Sequence, residues 1–371
     1  MFFRINKSLL LLPLIVSLSA FNLVAQEIEE VVVTSTKKTA SIQDLALSVQ
    51  ALTSDDLAEA QITETEDMVE LIPGIIQSPG VGSGTNMGIR GMISTTVGAN
   101  STAAVQAHIN GMQVNQSVFT TIGFFDVSQI DILAGPQGTL FGRNATGGVI
   151  NAITTPAEHN FDGSMRFEFG QDGQQRVGYA QNFDLSDKLA MRIAAQAYEK
   201  DGQIYNIETG NMVDNRDTSD YRITLNYEIN DTTELTLMHQ SHDADDKRSH
   251  FSANFCARDP FYGCLPWEKG VLNAPAMASG SIDGLFGVIA QTNNFNDEYA
   301  NTIAAPTIDQ INRDFDPHTK QTFEFSQLTL VKQFDDYELK INASRGDRDY
   351  TRTGDVDGST ASEGLTSGIM Q

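Results

Sequence analysis

Basic side chains are scarce in this chain: 24 Lys and Arg stand against 48 Asp and Glu over 371 residues, a formal net charge of −24. Such acidity excludes nucleic-acid binding through a general electrostatic footprint and suits cation capture or a solvated polar lumen. Long apolar runs are missing too. Beyond the N-terminus no run of about eighteen apolar residues occurs, so transmembrane helices are not expected. Cysteine is reduced to Cys256 and Cys264. They lack Cys-x-x-Cys redox spacing, and their separation suits a disulfide closing a short loop in an oxidising compartment. Catalytic signatures are absent: there is no Gly-x-Ser-x-Gly elbow, no His-Glu-x-x-His and no Gly-x-Gly-x-x-Gly. Gly142 and Gly147 have P-loop spacing, but Gly148-Val149 follow where Lys-Ser/Thr would reach phosphate and magnesium. No enzymatic activity, cofactor or metal is expected.

What the chain does have is a glycine-dense stretch, Ile130 to Thr154. Two β-branched segments, Ile130–Leu133 and Val149–Thr154, flank Gly135, Gly138, Gly142, Gly147 and Gly148. That density demands positive φ or close backbone approach several times in succession. The run from Gly135 to Asn151, GPQGTLFGRNATGGVIN, closely resembles the end of the plug domain of TonB-dependent outer-membrane receptors. Ile89-Arg90-Gly91 and Ala107–Met112 resemble other plug strands of that family. Two departures stand out. Ala134 replaces a usual basic residue, putting any plug-to-barrel ion pair carried by that position in doubt, and Asn110 replaces a usual Asp. Asn110-Gly111 still suits a tight hairpin turn.

Around this stretch, residues 45–157 read as a compact α+β unit. Leu45, Leu47 and Val49 alternate as a half-buried strand. Thr53-x-x-Asp56 and Thr63-x-x-Glu66 are capping-box signals for two short helices, the second stopped by Pro73-Gly74. Three polar segments, Ser78–Asn86, Ser94–Ala104 and Asn115–Thr121, read as surface loops. The resemblance implies that they form a plug apex facing a captured ligand, with Ser83, Thr85, Asn86, Thr95, Asn100, Asn115 and Gln116 as candidate contacts. It assigns Arg90, Gly91, Gly135, Gly138, Gly142, Arg143, Asn144, Gly147 and Gly148 to plug packing and turns.

The N-terminus reads as an export signal. Arg4 and Lys7 precede the apolar Leu9–Val16, then Ser17, Ser19 and Ala20, with cleavage expected after Ala25. Next come Glu29-Glu30-Val31-Val32-Val33-Thr34, high in β propensity and suited to donating an extended strand to a partner's sheet edge. In the light of the plug motif, Glu30 to Thr34 resemble the TonB box.

From Gly163 the pattern becomes long alternation with period two, for example Leu189, Met191 and Ile193, or Tyr221, Ile223, Leu225, Tyr227 and Ile229. Seven strands of about ten residues are expected, long enough to cross a tilted bilayer, with a bulge near Ser326 where the phase slips. Tight turns near Ser186-Asp187, Asn230-Asp231 and Asp335-Asp336 alternate with the long connections Asp201–Ser219 and Asp243–His318, as in outer-membrane barrels. A soluble sandwich would alternate as well. The longest connection holds Trp267 and both cysteines. His239, His242, Asp243, Asp245, Asp246 and His250 offer metal-type ligands, read here as a solvated acidic strand exit.

The expected fold is therefore an α+β plug followed by antiparallel transmembrane β-barrel strands, with a signal at 1–25, the TonB box and tether at 26–38, the plug at 39–160 and the N-terminal barrel portion at 161–371. The chain ends in a polar, glycine-rich run, read as a cut within a loop. The resemblance implies a barrel of about 22 strands, of which roughly a third would be present. It also implies a monomer when full length, partnered by TonB and outer-membrane lipid, that takes up a small extracellular ligand. A ferric siderophore is the family's commonest cargo, with carbohydrate or another nutrient as the alternative. The rival class is an exported metal-dependent enzyme around His239–His250.

Overall fold

The computed structural model describes residues 47–79, 84–94, 103–142, 144–248, 309–311, 313 and 315–354, with short strands at 32–33, 40–41, 256–259, 263–269 and 368–370. The export signal lies outside these residues. At the N-terminal end β1 (Val32–Val33) pairs antiparallel with β2 (Ala40–Ser41).

The first body is an α+β unit. Strand β3 (Ser48–Thr53) leads into α1 (Ser54–Glu59), where the Thr53 and Asp56 side chains form the expected capping box. The second capping box is not formed. Helix α2 (Asp67–Leu71) starts one turn later than Thr63 would set it, and its N-cap Glu66 makes no side-chain cap. Asp67 instead accepts hydrogen bonds from the backbone N–H of Thr63 and Glu64, which leaves Glu66 free to point outward. After Gly74 at φ +89° come the hairpin strands β4 (Ile75–Pro79) and β5 (Thr85–Ile89). Strands β6 (Val105–Ile109) and β7 (Met112–Val114) meet at Asn110 and Gly111, with φ of 49° and 78° as a two-residue hairpin turn requires. Helix α3 (Gln116–Phe119), β8 (Val127–Ala134), α4 (Gly138–Phe141) and β9 (Gly148–Thr154) complete the unit.

Its five-stranded sheet has the order β3-β8-β9-β6-β7, with only β6 and β9 parallel. Met68, Ile130, Val118 and Ile150 fill its core at 0–1% exposure. The glycine-dense connection between β8 and β9 turns the chain back on itself. Gly148 sits at φ 152°, and a Cβ there would lie 2.4 Å from the Leu133 carbonyl, so any side chain would push β8 and β9 apart.

The second body is a sheet of eight antiparallel strands, β10 (Gly163–Phe169), β11 (Gln175–Ser186), β12 (Leu189–Lys200), β15 (Arg216–Asn230), β16 (Thr233–Asp246), β20 (His318–Gln333), β21 (Glu338–Gly354) and the short β22 (Gly368–Met370). All seven expected strands are there. Between them, the long connections carry β13 (Ile204–Asn206) and β14 (Met212–Val213), β17 (Cys256–Asp259) and β18 (Gly263–Lys269), and β19 (Gln310–Ile311). β19 joins β13 and β14 in a three-stranded ribbon.

The bulge expected near Ser326 is not present. β20 pairs without a slip along both neighbours, and the shifts fall instead beside tight turns, at Asp184/Ser186 and Glu228/Asn230. What changes near Ser326 is which face is apolar. Phe323 and Phe325 point inward, 5% and 2% exposed, while Leu328 points outward. The strand is apolar on its inner face where the first body packs and on its outer face beyond it.

Candidate functional site

The first body sits against the inner face of the sheet. Inward positions of the wall carry small residues, Ala180, Ala190, Ala194 and Ala244, all buried, which lets the two bodies approach closely. Phe119, Ile122 and Phe125 of the first body share one apolar core with Met238, Phe323 and Phe325 of the wall. A Cβ on Gly123 would lie 3.0 Å from the Gln196 side chain.

Arginines on the same inward parity hold this contact. Arg192 on β12 donates to the Asp126 carboxylate from Nε (2.9 Å) and Nη2 (2.5 Å), with both side chains under a tenth exposed. Arg222 on β15 donates to the carbonyls of Phe125 (3.3 Å) and Asp126 (2.9 Å) and stacks 4.4 Å over the Phe125 ring. Asp126 itself is at φ 49°, and its carbonyl and carboxylate both turn toward the wall, as does the Phe125 carbonyl. A second cluster surrounds the loop before α2. Arg176 on β11 meets Glu64 at 3.2 Å, Arg216 on β15 meets it at 2.7 Å, and Arg248 meets Glu66 at 3.0 Å. Burial raises the Glu64 pKa, but the nearby Arg216, Arg176 and Arg248 outweigh it and hold the carboxyl below its ordinary range.

Neutral contacts extend the interface. Gln321 on β20 donates to Thr121 Oγ1 at 2.9 Å, and Arg348 on β21 donates to Ser117 Oγ at 3.1 Å. At the opposite end, Asn110 donates from Nδ2 to Thr154 Oγ1 (3.0 Å) and Met238 Sδ (3.4 Å), while its Oδ1 accepts from the Thr154 N–H. His242 and Asp220 face each other at 2.8 Å on the inner wall, both fully buried. Above the wall, Asp316 accepts from Asn206, Thr209 and Asn211 and ties the ribbon of β13 to the approach to β20. Burial raises the Asp316 pKa, and these hydrogen bonds outweigh it to leave the carboxyl low.

The residues singled out in the sequence fall into three groups. Ser83, Thr95, Asn100 and Arg143 lie outside the described residues, as do Glu30, Val31, Thr34 and His250. Thr85, Asn86 and Gln116 are buried rather than presented to solvent. The Thr85 N–H bonds Thr120 Oγ1, and Gln116 donates to the carbonyls of Met87 and Val105, because α3 packs on β5 and β6 instead of forming an open loop. Asn115 is exposed and caps α3. Arg90, at φ 53°, donates to Ser48 Oγ, and Gly91, Gly135 and Gly142 occupy positive φ, while Gly138, Asn144 and Gly147 lie in the same turns. The side chains of Cys256 and Cys264 are outside the described residues, although the backbone places them on the paired strands β17 and β18. The histidine group divides by strand parity: His239, Asp243 and Asp245 are on the outer face, His242 and Asp246 on the inner. The wall arginines were not legible as partners, since each looks like any polar residue in an alternating strand. Their shared parity is the signal that marks them.

Residues 41–149 match the family described as the TonB-dependent Receptor Plug Domain. A vitamin B12 transporter BtuB of Vibrio vulnificus is 26% identical over 196 residues, covering 50% of this chain and 31% of that protein. An iron-regulated outer membrane virulence protein of Vibrio cholerae is 26% identical over 239 residues, covering 61% and 36%. The chain thus spans about a third of the length of the curated relatives it matches. In fold it is similar to the ferripyoverdine receptor of Pseudomonas aeruginosa, with a TM-score of 0.64, 15% identity and coverage of 87% of this chain and 37% of that one. The ferric yersiniabactin uptake receptor FyuA of Yersinia pestis gives a TM-score of 0.62 at 16% identity, with coverage of 83% and 42%. A plug matched to its family and packed on a wall of antiparallel strands makes this chain a TonB-dependent receptor of the Gram-negative outer membrane.

Proposed function

We propose that the protein takes up a scarce nutrient across the outer membrane, most simply a ferric siderophore, using energy delivered by TonB to residues Glu30–Thr34. The proposed layout is an export signal at 1–25, the TonB box and tether at 26–38, the plug at 39–160 and barrel strands at 161–371. The observation that carries this reading is the plug–wall contact: a separate folded body fills the inner face of the sheet and is held there by side chains rather than by shared strands. Such an obstruction is consistent with a gated pore and gives the chain no need of a catalytic group. The named relatives, an iron-regulated outer membrane protein and receptors for ferric siderophores, support iron as cargo; the vitamin B12 transporter keeps another nutrient as the second reading.

In this mechanism a ligand is captured at the plug apex and a partner's strand pairs with the valine segment. Val32 and Val33 are already extended. Proline at Val32 removes a backbone donor and fixes φ, which breaks an added strand. Cells making the full-length receptor with Val32→Pro should bind the host's own ferric siderophore but fail to accumulate radioiron from it. Accumulation equal to that of the unaltered receptor would contradict the proposal.

A further inference from the structure

The arginines that face the plug are not all matched by acids. Arg176, Arg192, Arg216 and Arg248 each meet a plug carboxylate. Arg348 does not. Its Nε and Nη2 donate to Gln321 Oε1 (3.2 and 2.6 Å) and its Nη1 to Ser117 Oγ (3.1 Å), both neutral acceptors. Among the described residues no carboxylate acts on it. The guanidinium lies 4.3 Å over the ring of Tyr350. Arg352 follows on the same inward parity of β21, because Arg348, Tyr350 and Arg352 stand opposite Phe323, Gln321 and Thr319. This stripe meets the plug at Ser117, beside the exposed Asn115, whose Oδ1 accepts from both the Ser117 N–H (2.9 Å) and its hydroxyl (2.7 Å).

We propose that Arg348 is an oxyanion-recognition residue at the plug apex, so that the transported ligand is an anion whose carboxylate or phosphate group docks between Arg348 and Ser117. This deepens the uptake reading above and rests on it. A half-buried guanidinium given only neutral acceptors is incompletely compensated for its lost hydration. A ligand oxyanion supplies charge-assisted, bidentate hydrogen bonds that fit the planar guanidinium. The Tyr350 ring, 4.3 Å from the guanidinium, gives the ligand a flat surface beside it. In a chain with a net charge of −24, a guanidinium held by neutral acceptors alone at this junction favours anionic over neutral and cationic ligands.

The test is radioiron uptake by cells carrying the full-length receptor, with three chelates of different charge: anionic ferric citrate, neutral ferrichrome and cationic ferrioxamine. Ferric citrate should be taken up at least tenfold faster than the others. Arg348→Gln should raise its half-saturating concentration at least tenfold while the maximal rate holds, and Arg348→Lys should restore part of the affinity. Equal outer-membrane levels of all variants establish that each one folds. Preference for ferrichrome or ferrioxamine, or ferric citrate uptake unchanged in Arg348→Gln, overturns the proposal and leaves the uptake reading standing. No uptake of any chelate above that of the Val32→Pro receptor overturns iron as the cargo and this proposal with it, and leaves only the second, non-iron reading of uptake.

Discussion

Replacing Asp126 by Asn should loosen the plug by an amount the structure allows to be worked out. The change removes the charge but keeps the shape, and Asn tolerates the φ of 49° at this position. Arg192 is then left with a guanidinium 8% exposed and no counter-charge at 2.5 Å. Breaking a buried pair by removing one partner costs about 3–5 kcal/mol. Asn retains one acceptor, and Arg222 still holds the backbone carbonyls of Phe125 and Asp126, so the low end, about 3 kcal/mol, is expected. That is on the order of a hundredfold in the equilibrium between seated and released plug, at 1.36 kcal/mol per factor of ten. Adding Arg192→Met removes the stranded charge and fills its space, and should bring the receptor back to within about 1 kcal/mol of the parent. Hydrogen exchange of residues 122–134 in the full-length receptor reads this directly: protection should fall about a hundredfold in the single variant and recover in the double. Unchanged protection in Asp126→Asn, or losses that simply add in the double variant, would refute the idea that this pair seats the plug.

Acid should act at the second cluster. The Glu64 carboxyl lies below its ordinary 4.5 when folded, so its contribution is complete above that value and is lost as pH falls through the lower folded pKa. Exchange of residues 62–72 should therefore accelerate below pH 4.5 in the parent, and Glu64→Gln should lack that acid step; an identical pH profile in both would contradict it. For the long connection, Cys256 and Cys264 should be found joined in one peptide pair when non-reduced, alkylated protein is digested and weighed. Two freely alkylated thiols would count against the disulfide.

The strand pattern carried far into this structure because a wall with lipid on one side forces period two, and residues such as Leu189, Met191 and Ile193 declare their face without reference to any neighbour. The glycine stretch was legible for a similar reason: Gly148 is required by its own backbone and the Leu133 carbonyl. Where two distant segments decide the outcome, the local signal misled. Thr63 and Glu66 have the spacing of a capping box, yet Glu66 is drawn outward by Arg248, 182 residues away. Phe323 and Phe325 imitate a phase slip because the plug covers that part of β20 and lipid covers the rest. Gln116 and Thr85 are polar enough to suggest a loop, but Gln116 donates to backbone carbonyls and the Thr85 N–H to the Thr120 hydroxyl inside the plug, which no run of sequence reveals.

In the proposed mechanism the plug is seated on this wall at rest and leaves it for transport. Thr121 on the plug and Gln321 on the wall are joined by a 2.9 Å hydrogen bond. With cysteine at both positions in the full-length receptor, a short thiol-to-thiol cross-linker applied to intact outer membranes should join them efficiently, leave ligand binding intact, and stop uptake until a cleavable linker is cut. Failure to cross-link, or uptake that continues through a receptor shown to be cross-linked, would contradict the account.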